Sequence, residues 1–290
     1  MMWQTPDIGG MIMEHTGDAH VIAFAKPWGG EFILWRLPRW QPVHVGSVAI
    51  DLSPTKHVVF LALAAFLVWL TMFLTGRTLK RQREAGHPPR GIASMFEAMV
   101  LFVRDDIAIA NIGHGGAAFA PYILTLFFFI LFVNLFGLVP WGATGTGNLA
   151  VTGALALTAF MVIEISGMRA LGPKGYMHTI VFTPPGMTGI TKVLLTGIMI
   201  PIELIGKIVK PFALMLRLFA NMTAGHFVIL SLLGLVFLFG SVPGVKYGVA
   251  AGSVAFVLFM MALELFVAFL QAYIFALLTA VFIGLMQHEH

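Results

Sequence analysis

Long apolar stretches separated by short polar segments are the dominant pattern of this chain. Val58–Leu74 is uncharged, and a charge-free run from Gly115 to Ile163 has room for two further spans, roughly 117–139 and 148–168. Two longer helical stretches follow the Pro184-Pro-Gly186 break, at about 188–240 and 249–286. Each is long enough to cross a hydrocarbon layer of roughly 30 Å. The pattern predicts an all-α membrane protein with about five membrane-crossing helices.

The last two helices are too long to cross a membrane upright. Fifty helical residues measure about 75 Å at 1.5 Å per residue, more than twice the bilayer core. Pro201, Gly206 and Pro211 are positions where such a helix can bend. We therefore expect residues 188–286 to form a strongly tilted hairpin that turns at Gly240–Gly248.

An amphipathic segment lies between the first two spans. Apolar residues from Ile92 to Ile107 recur at helical spacing, and Glu97, Arg104, Asp105 and Asp106 fall between them. This pattern predicts a helix lying at the membrane surface. Its polar face is open to two interpretations, a docking site for a partner or a solvated surface.

The composition also indicates that the chain lies in a membrane, and it excludes some classes of functional site. Of 290 residues, 59% are hydrophobic and only 10% are charged, with a mean hydropathy of +0.92. We assign residues 57–290 to a membrane domain and residues 1–56, which mix tryptophans with polar residues and prolines, to an extracytoplasmic or interfacial arm. Cysteine is absent, which excludes thiolate metal sites and cysteine nucleophiles. No cofactor or metal is predicted.

The positive charges predict orientation and not nucleic-acid binding. The net charge of +4 arises from basic residues beside the apolar spans, in the block Gly76–Arg83 and at Arg90, Arg169 and Lys174. Basic loops stay cytoplasmic. Five crossings then place the amino terminus outside and the carboxyl terminus in the cytoplasm.

Arg217 lies in an apolar helical run with no acid within ten residues. A guanidinium keeps its proton, and its burial at the centre of a membrane costs roughly 3 kcal/mol. Glu203 and Lys210 precede it at steps of seven, so all three follow one helical stripe, and Asn221 shares the face of Arg217. Arg217 is therefore expected to be functional, whereas the side chain of Lys210 could simply extend to the membrane surface.

The following helix carries Glu264 and Gln271, also seven residues apart. In a hairpin centred near residue 244, His226 and Glu264 are about equally far from the turn, as are Arg217 and Gln271. An imidazole and a carboxyl in contact can exchange protons near neutral pH, while Arg217 stays positive. The pair could form a proton relay or a structural ion pair.

These residues resemble a known family. Lys210-Pro-Phe-Ala-Leu-Met-Leu-Arg-Leu-Phe-Ala-Asn-Met-Thr-Ala-Gly-His226 is similar to the arginine helix of subunit a in F-type ATP synthases. Glu264 and Leu270-Gln-Ala-Tyr-Ile-Phe275 resemble its final helix, and looser similarity covers nearly everything after residue 57. Here His226 and Glu264 are in exchanged order relative to many members, and Ala220 replaces a common glycine.

The resemblance implies a non-catalytic stator with two offset aqueous half-channels beside a rotating ring of c subunits. Arg217 would hold passing rotor carboxylates deprotonated and block a direct leak. Asn221, His226, Glu264 and Gln271 match positions of the outer half-channel, and Glu203 matches an acid nearer the cytoplasmic one. Implied partners are the c ring, the b subunits of the peripheral stalk and the remaining synthase subunits.

One other function stays open at this point, and a third class has little support in the sequence. A secondary transporter could couple protons to a substrate through His226, Glu264 and Arg217, although the chain has no evident internal repeat. A membrane protease or hydrolase has no suitable set of nucleophile and base. We expect a bacterial inner membrane, since the chain has no transit peptide, and the choice between proton and sodium stays open.

Overall fold

Helices make up most of the chain in a computed structural model that describes residues 21–25, 31–45, 48–51, 53–86, 88, 90–113, 115–139, 145–181, 190–240, 242 and 244–288. The helices are α1 (Lys56–Glu84), α2 (Ile92–Leu101), α3 (Ala110–Ile112), α4 (Gly116–Leu138), α5 (Leu149–Ile180), α6 (Ile190–Leu238) and α7 (Lys246–His288). A π-helical segment, Phe102–Ile109, joins α2 to α3, and a short 3₁₀ turn, Gly145–Gly147, precedes α5. The predicted break at Pro184-Pro-Gly186 lies outside the described residues.

Five of these helices are long and apolar enough to cross a membrane within the described part of the chain. Their spans are Lys56–Glu84, Gly116–Leu138, Leu149–Thr179, Val193–Val236 and Lys246–Gln287. This confirms the all-α membrane architecture with two long final helices. Many of their large apolar side chains, among them Trp69, Leu157 and Phe266, are exposed, as expected for surfaces that face lipid or partner subunits.

The amino-terminal arm adds short strands that the sequence analysis did not predict. Strand β1 (Val21–Ala25) pairs antiparallel with β2 (Glu31–Arg36), with an irregularity of register between Ile22 and Ala23. Strand β3 (Val43–Val45) pairs antiparallel with β4 (Val48–Ile50). The β-branched and aromatic residues of these segments favour strands.

The third span is longer than the sequence pattern indicated, because α5 continues beyond Met168 to Ile180. The charges Arg169 and Lys174 end the apolar run but do not end a helix. Gly172 breaks the helical geometry with φ 69° and ψ 171°, and Pro173 follows it. The residue before a proline is disfavoured in helical conformation, and glycine tolerates positive φ. The last turns of α5 therefore leave the kink in a new direction.

The amphipathic segment is confirmed as a helix but has a π-helical centre. Val103 and Ile107 are buried, while Arg104, Asp105 and Asp106 face solvent. The side-chain amide of Asn111 donates hydrogen bonds to the carbonyls of Asp106 and Ile107, at 3.2 and 2.8 Å, at the end of this π-helical segment. Gly284 of α7 packs against this end, since a Cβ there would collide with the Asn111 carbonyl.

The chain divides into two compact units. The first contains Met1–Leu70, Phe129–Asn148 and Leu218–Gln271. The second contains Thr71–Phe128, Leu149–Arg217 and Ala272–His290. The long helices α6 and α7 thus contribute one portion to each unit. The candidate residues divide with them, because Glu203 and Arg217 belong to the second unit and the other four to the first.

Candidate functional site

Helix α6 presents two different faces around Arg217. One face is buried and contains Lys207, Leu214, Leu218 and Met222, each at most 7% exposed. The other face is exposed, and it carries Arg217 and Asn221 with small side chains on neighbouring turns, Ala213, Ala220 and Ala224. Arg217 is therefore a fixed positive charge on an accessible, otherwise small helix surface. Such a surface allows another helix to approach the guanidinium closely.

Glu264 is a buried carboxyl on the facing helix. It is 4% exposed, and among the described residues its Oε1 atom has no hydrogen-bond partner. Leaving a buried polar atom unsatisfied costs about 1–3 kcal/mol, so a bound proton or a water molecule would be stabilising there. Because carboxyl groups both take up and release protons, Glu264 has the chemistry of a proton-exchange group.

Gly225 gives the carboxyl of Glu264 its place against α6. A Cβ built at Gly225 would collide with Oε1 of Glu264, so α6 and α7 pack here at a distance that excludes any side chain. The neighbouring His226 is half-buried. Gly225 and Glu264 face each other within one residue of the register expected for a hairpin centred near residue 244. His226 is thus the next residue in sequence after the glycine that Glu264 contacts.

Gln271, two turns beyond Glu264 on α7, is 3% exposed. Its expected partner Arg217 belongs to the other compact unit. The pairing of Arg217 with Gln271 therefore stays a prediction from the register of the hairpin.

A buried amide on α4 holds the same stretch of α7. Asn134 is fully buried, accepts a hydrogen bond from the hydroxyl of Thr146 at 2.8 Å and donates one to the carbonyl of Ala268 at 3.3 Å. Ala268 lies one helical turn after Glu264. Asn134 was not predicted from the sequence, although it is an amide within the charge-free apolar run. This contact holds α7 in place one helical turn away from Glu264.

Glu203 and Lys210 lie in the second unit, where they line a cavity. Glu203 is half-buried, and the ammonium of Lys210 lies 5.1 Å from the centre of the Phe282 ring. Glu164 and Lys207 line the same cavity and form an ion pair with 3.4 Å between Nζ and Oε2. This pair was not predicted from the sequence. A glutamate inside the third apolar span, and a lysine one turn after Glu203, were the indications.

The described residues hold no group of three histidine, aspartate or glutamate side chains that could bind a metal ion. What they do hold is an exposed cation at Arg217, a buried carboxyl at Glu264 and a charged cavity. Carboxyl and imidazole groups can take up and release protons, whereas a guanidinium keeps its positive charge.

Comparison with known proteins identifies related chains. Residues 53–284 match the family described as ATP synthase A chain. The protein named ATP synthase subunit a from Chloroherpeton thalassium is 46% identical over 278 residues, which cover 96% of this chain and 77% of the relative. The one from Myxococcus xanthus is 50% identical over 246 residues, covering 83% and 76%. ATP synthase subunit a 2 of Chlorobaculum tepidum is 45% identical over 278 residues, covering 96% and 72%.

Proposed function

The chain belongs to the ATP synthase A chain family, and we propose that it is the proton-conducting stator of a rotary F-type ATP synthase. In this role it makes and breaks no covalent bond. Protons pass through it on their way to and from the carboxylates of a rotating c ring, and the rotation drives ATP synthesis in the catalytic sector. The peripheral stalk b subunits hold it against the ring.

The exposed position of Arg217 is the observation that carries this role. A guanidinium on an accessible helix face with small neighbours can meet an acid supplied by another subunit. A rotor carboxylate that arrives from lipid as the neutral acid loses its proton beside this cation, because opposite charges attract strongly where water is scarce. It regains a proton before it re-enters lipid. The same fixed charge repels protons that would otherwise pass directly between the two access paths.

The other five residues divide between two access paths. Glu264 and His226 exchange protons in the outer path, which Asn221 and Gln271 line with groups that hydrogen-bond water. Glu203 serves the cytoplasmic path through the cavity in which it lies. With the amino terminus outside and the carboxyl terminus inside a bacterial inner membrane, the basic segments near Arg77 and Arg169 fall on the cytoplasmic side, as the charge rule requires.

Reconstitution tests this function directly. Liposomes that contain the purified whole complex are expected to take up protons when ATP is added, whereas liposomes with the isolated chain should transport neither protons nor substrates. The chain should also purify together with a c ring and stalk subunits. Proton-coupled solute uptake by the isolated chain would instead establish a secondary transporter.

Gly225 supplies a prediction about the geometry of the outer path. In Gly225→Ala the new methyl group collides with the carboxylate of Glu264. Because proton transfer depends on distance and alignment, ATP-driven proton uptake should fall about ten- to a hundredfold. The measurement is uptake by vesicles with equal amounts of assembled complex.

Gly197→Ala is the matched control, since it lies in the same helix and a Cβ there meets nothing within 4 Å. Alanine also favours helix over glycine at both positions. Wild-type uptake in Gly225→Ala would mean that the carboxyl of Glu264 can move away without consequence.

A further inference from the structure

A buried ion pair joins α5 to α6 within the second unit. Glu164 is 8% exposed and Lys207 is 7% exposed, and the hydroxyl of Tyr176 donates a hydrogen bond to the same carboxylate oxygen that Lys207 contacts. The ammonium of Lys207 also donates to Thr179 Oγ1 at 3.2 Å and lies 4.5 Å from the centre of the Tyr176 ring. Both charges therefore have partners, and together they sum to zero.

This pair forms part of the wall of the cavity that contains Glu203. Helix α5 contributes Glu164, and α6 contributes Glu203, Lys207 and Lys210. The wall from α7 consists of Phe282, Leu285 and Met286, none of which titrates. Glu203 and Lys207 are four residues apart on one helix, a spacing that places their side chains on the same face. The charge state of the pair therefore acts on Glu203 at short range.

Stability alone does not explain such a pair. Removing two charges from water costs several kcal/mol per ion, and apolar replacements for a buried ion pair are often neutral or stabilising. An apolar contact between α5 and α6 would hold these helices together equally well. A charged pair beside a polar cavity instead sets the electrostatic potential inside it.

We propose that Glu164 and Lys207 are positioning residues that balance charge in the cytoplasmic proton cavity. Glu164 neutralises Lys207, so that protons can reach Glu203 without meeting an uncompensated buried cation. Without Glu164, the positive charge of Lys207 repels incoming protons. Without Lys207, the carboxylate of Glu164 attracts and retains them. This role assumes the proton path proposed above and adds two residues to its cytoplasmic side.

The test is the pH dependence of proton uptake in inverted vesicles, whose outer face is the cytoplasmic face. ATP-driven uptake by the whole complex is measured against external pH and divided by the rate of ATP hydrolysis with uncoupler at the same pH. For Glu164→Gln we expect the midpoint of this profile to move to lower pH by roughly half a unit to one unit. For Lys207→Met we expect a shift of similar size to higher pH, and for the double variant a return toward wild type.

Glutamine keeps the shape of Glu164 and an acceptor for the Tyr176 hydroxyl, so Glu164→Gln changes charge with little change in packing. Opposite shifts in the two single variants are a result that damaged packing would not produce. Should Glu164→Gln fail to assemble, the comparison of Lys207→Met with the double variant decides the question. Unmoved midpoints, shifts in one direction, or loss of assembly in all three variants would overturn the proposal.

Arg217→Ala is measured in parallel, so that failure of the proposed stator function can be told apart from failure of the proposed role of Glu164 and Lys207. Proton uptake that persists in Arg217→Ala refutes the proposed stator function itself. Blocked uptake in Arg217→Ala, together with wild-type midpoints in the pair variants, refutes only the role of Glu164 and Lys207.

Discussion

Arg217→Ala is expected to abolish ATP-driven proton uptake while the complex still assembles. This is the largest effect that we expect, because the variant removes the fixed positive charge from the exposed face of α6. A rotor carboxylate that passes an alanine keeps its proton, since nothing there compensates its negative charge in a medium of low polarity. The measurement is acidification of inverted vesicles at matched amounts of assembled complex, with ATP hydrolysis recorded on the same samples.

Assembly should survive because the alanine side chain lies among Ala213, Ala220 and Ala224 and creates no collision. Arg217→Lys separates charge from shape, since an ammonium keeps the charge but lacks the planar fork of a guanidinium. We expect it to leave a small residual rate. Undiminished pumping in Arg217→Ala would remove this residue from the mechanism and favour a transporter.

Glu264→Gln is expected to slow proton uptake on the order of a hundredfold, the range that removal of a positioned proton-transfer group produces. Glutamine fits the same buried space against Gly225 but cannot take up and release a proton. The complex should therefore assemble normally and hydrolyse ATP with uncoupler present. Comparing initial rates of vesicle acidification over a range of proton gradients measures this loss.

Glu84→Gln is a suitable control, since Glu84 is an exposed acid that pairs with Lys80 on the surface at 3.9 Å. A second variant tests whether the pair also works with the acid and the histidine in exchanged positions. His226→Glu combined with Glu264→His should recover more activity than either single change. Equal loss in all three, with intact assembly, would show that the two side chains do not act together.

The sequence singled out candidate residues on α6 and α7 but not the residues that pack against them. Arg217 and Glu264 are exceptional in their immediate surroundings, because charge is rare in apolar helices and each exception needs a reason. The register of the hairpin followed from the position of one turn, and the approach of Gly225 to Glu264 agrees with it within one residue. Gly225 cannot be recognised from the sequence in this way, because a glycine is not unusual in an apolar helix and its role depends on a contact between helices.

Glu164 and Lys207 show why other residues were missed. They are 43 residues apart, and each alone resembles an ordinary charge near the end of a span. They form an ion pair only because α5 packs against α6, and this packing cannot be read from either residue alone. Asn134 is similar, because its bond to the carbonyl of Ala268 crosses 134 residues of sequence. The kink at Gly172 was not predicted for another reason. The apolar run ends at the charges that begin with Arg169, but the helix continues past them to Ile180.

The sequence by itself determined the membrane class, the five apolar helices and the rare charged positions among them, because the hydrophobic effect and the cost of burying charge act on each segment locally. The tertiary structure decided which of those charges are exposed, buried or paired. It exposed Arg217, buried Glu264 against Gly225, and joined Glu164 to Lys207 beside the cavity of Glu203. These properties depend on contacts between helices distant in sequence, and such contacts follow from packing rather than from local composition.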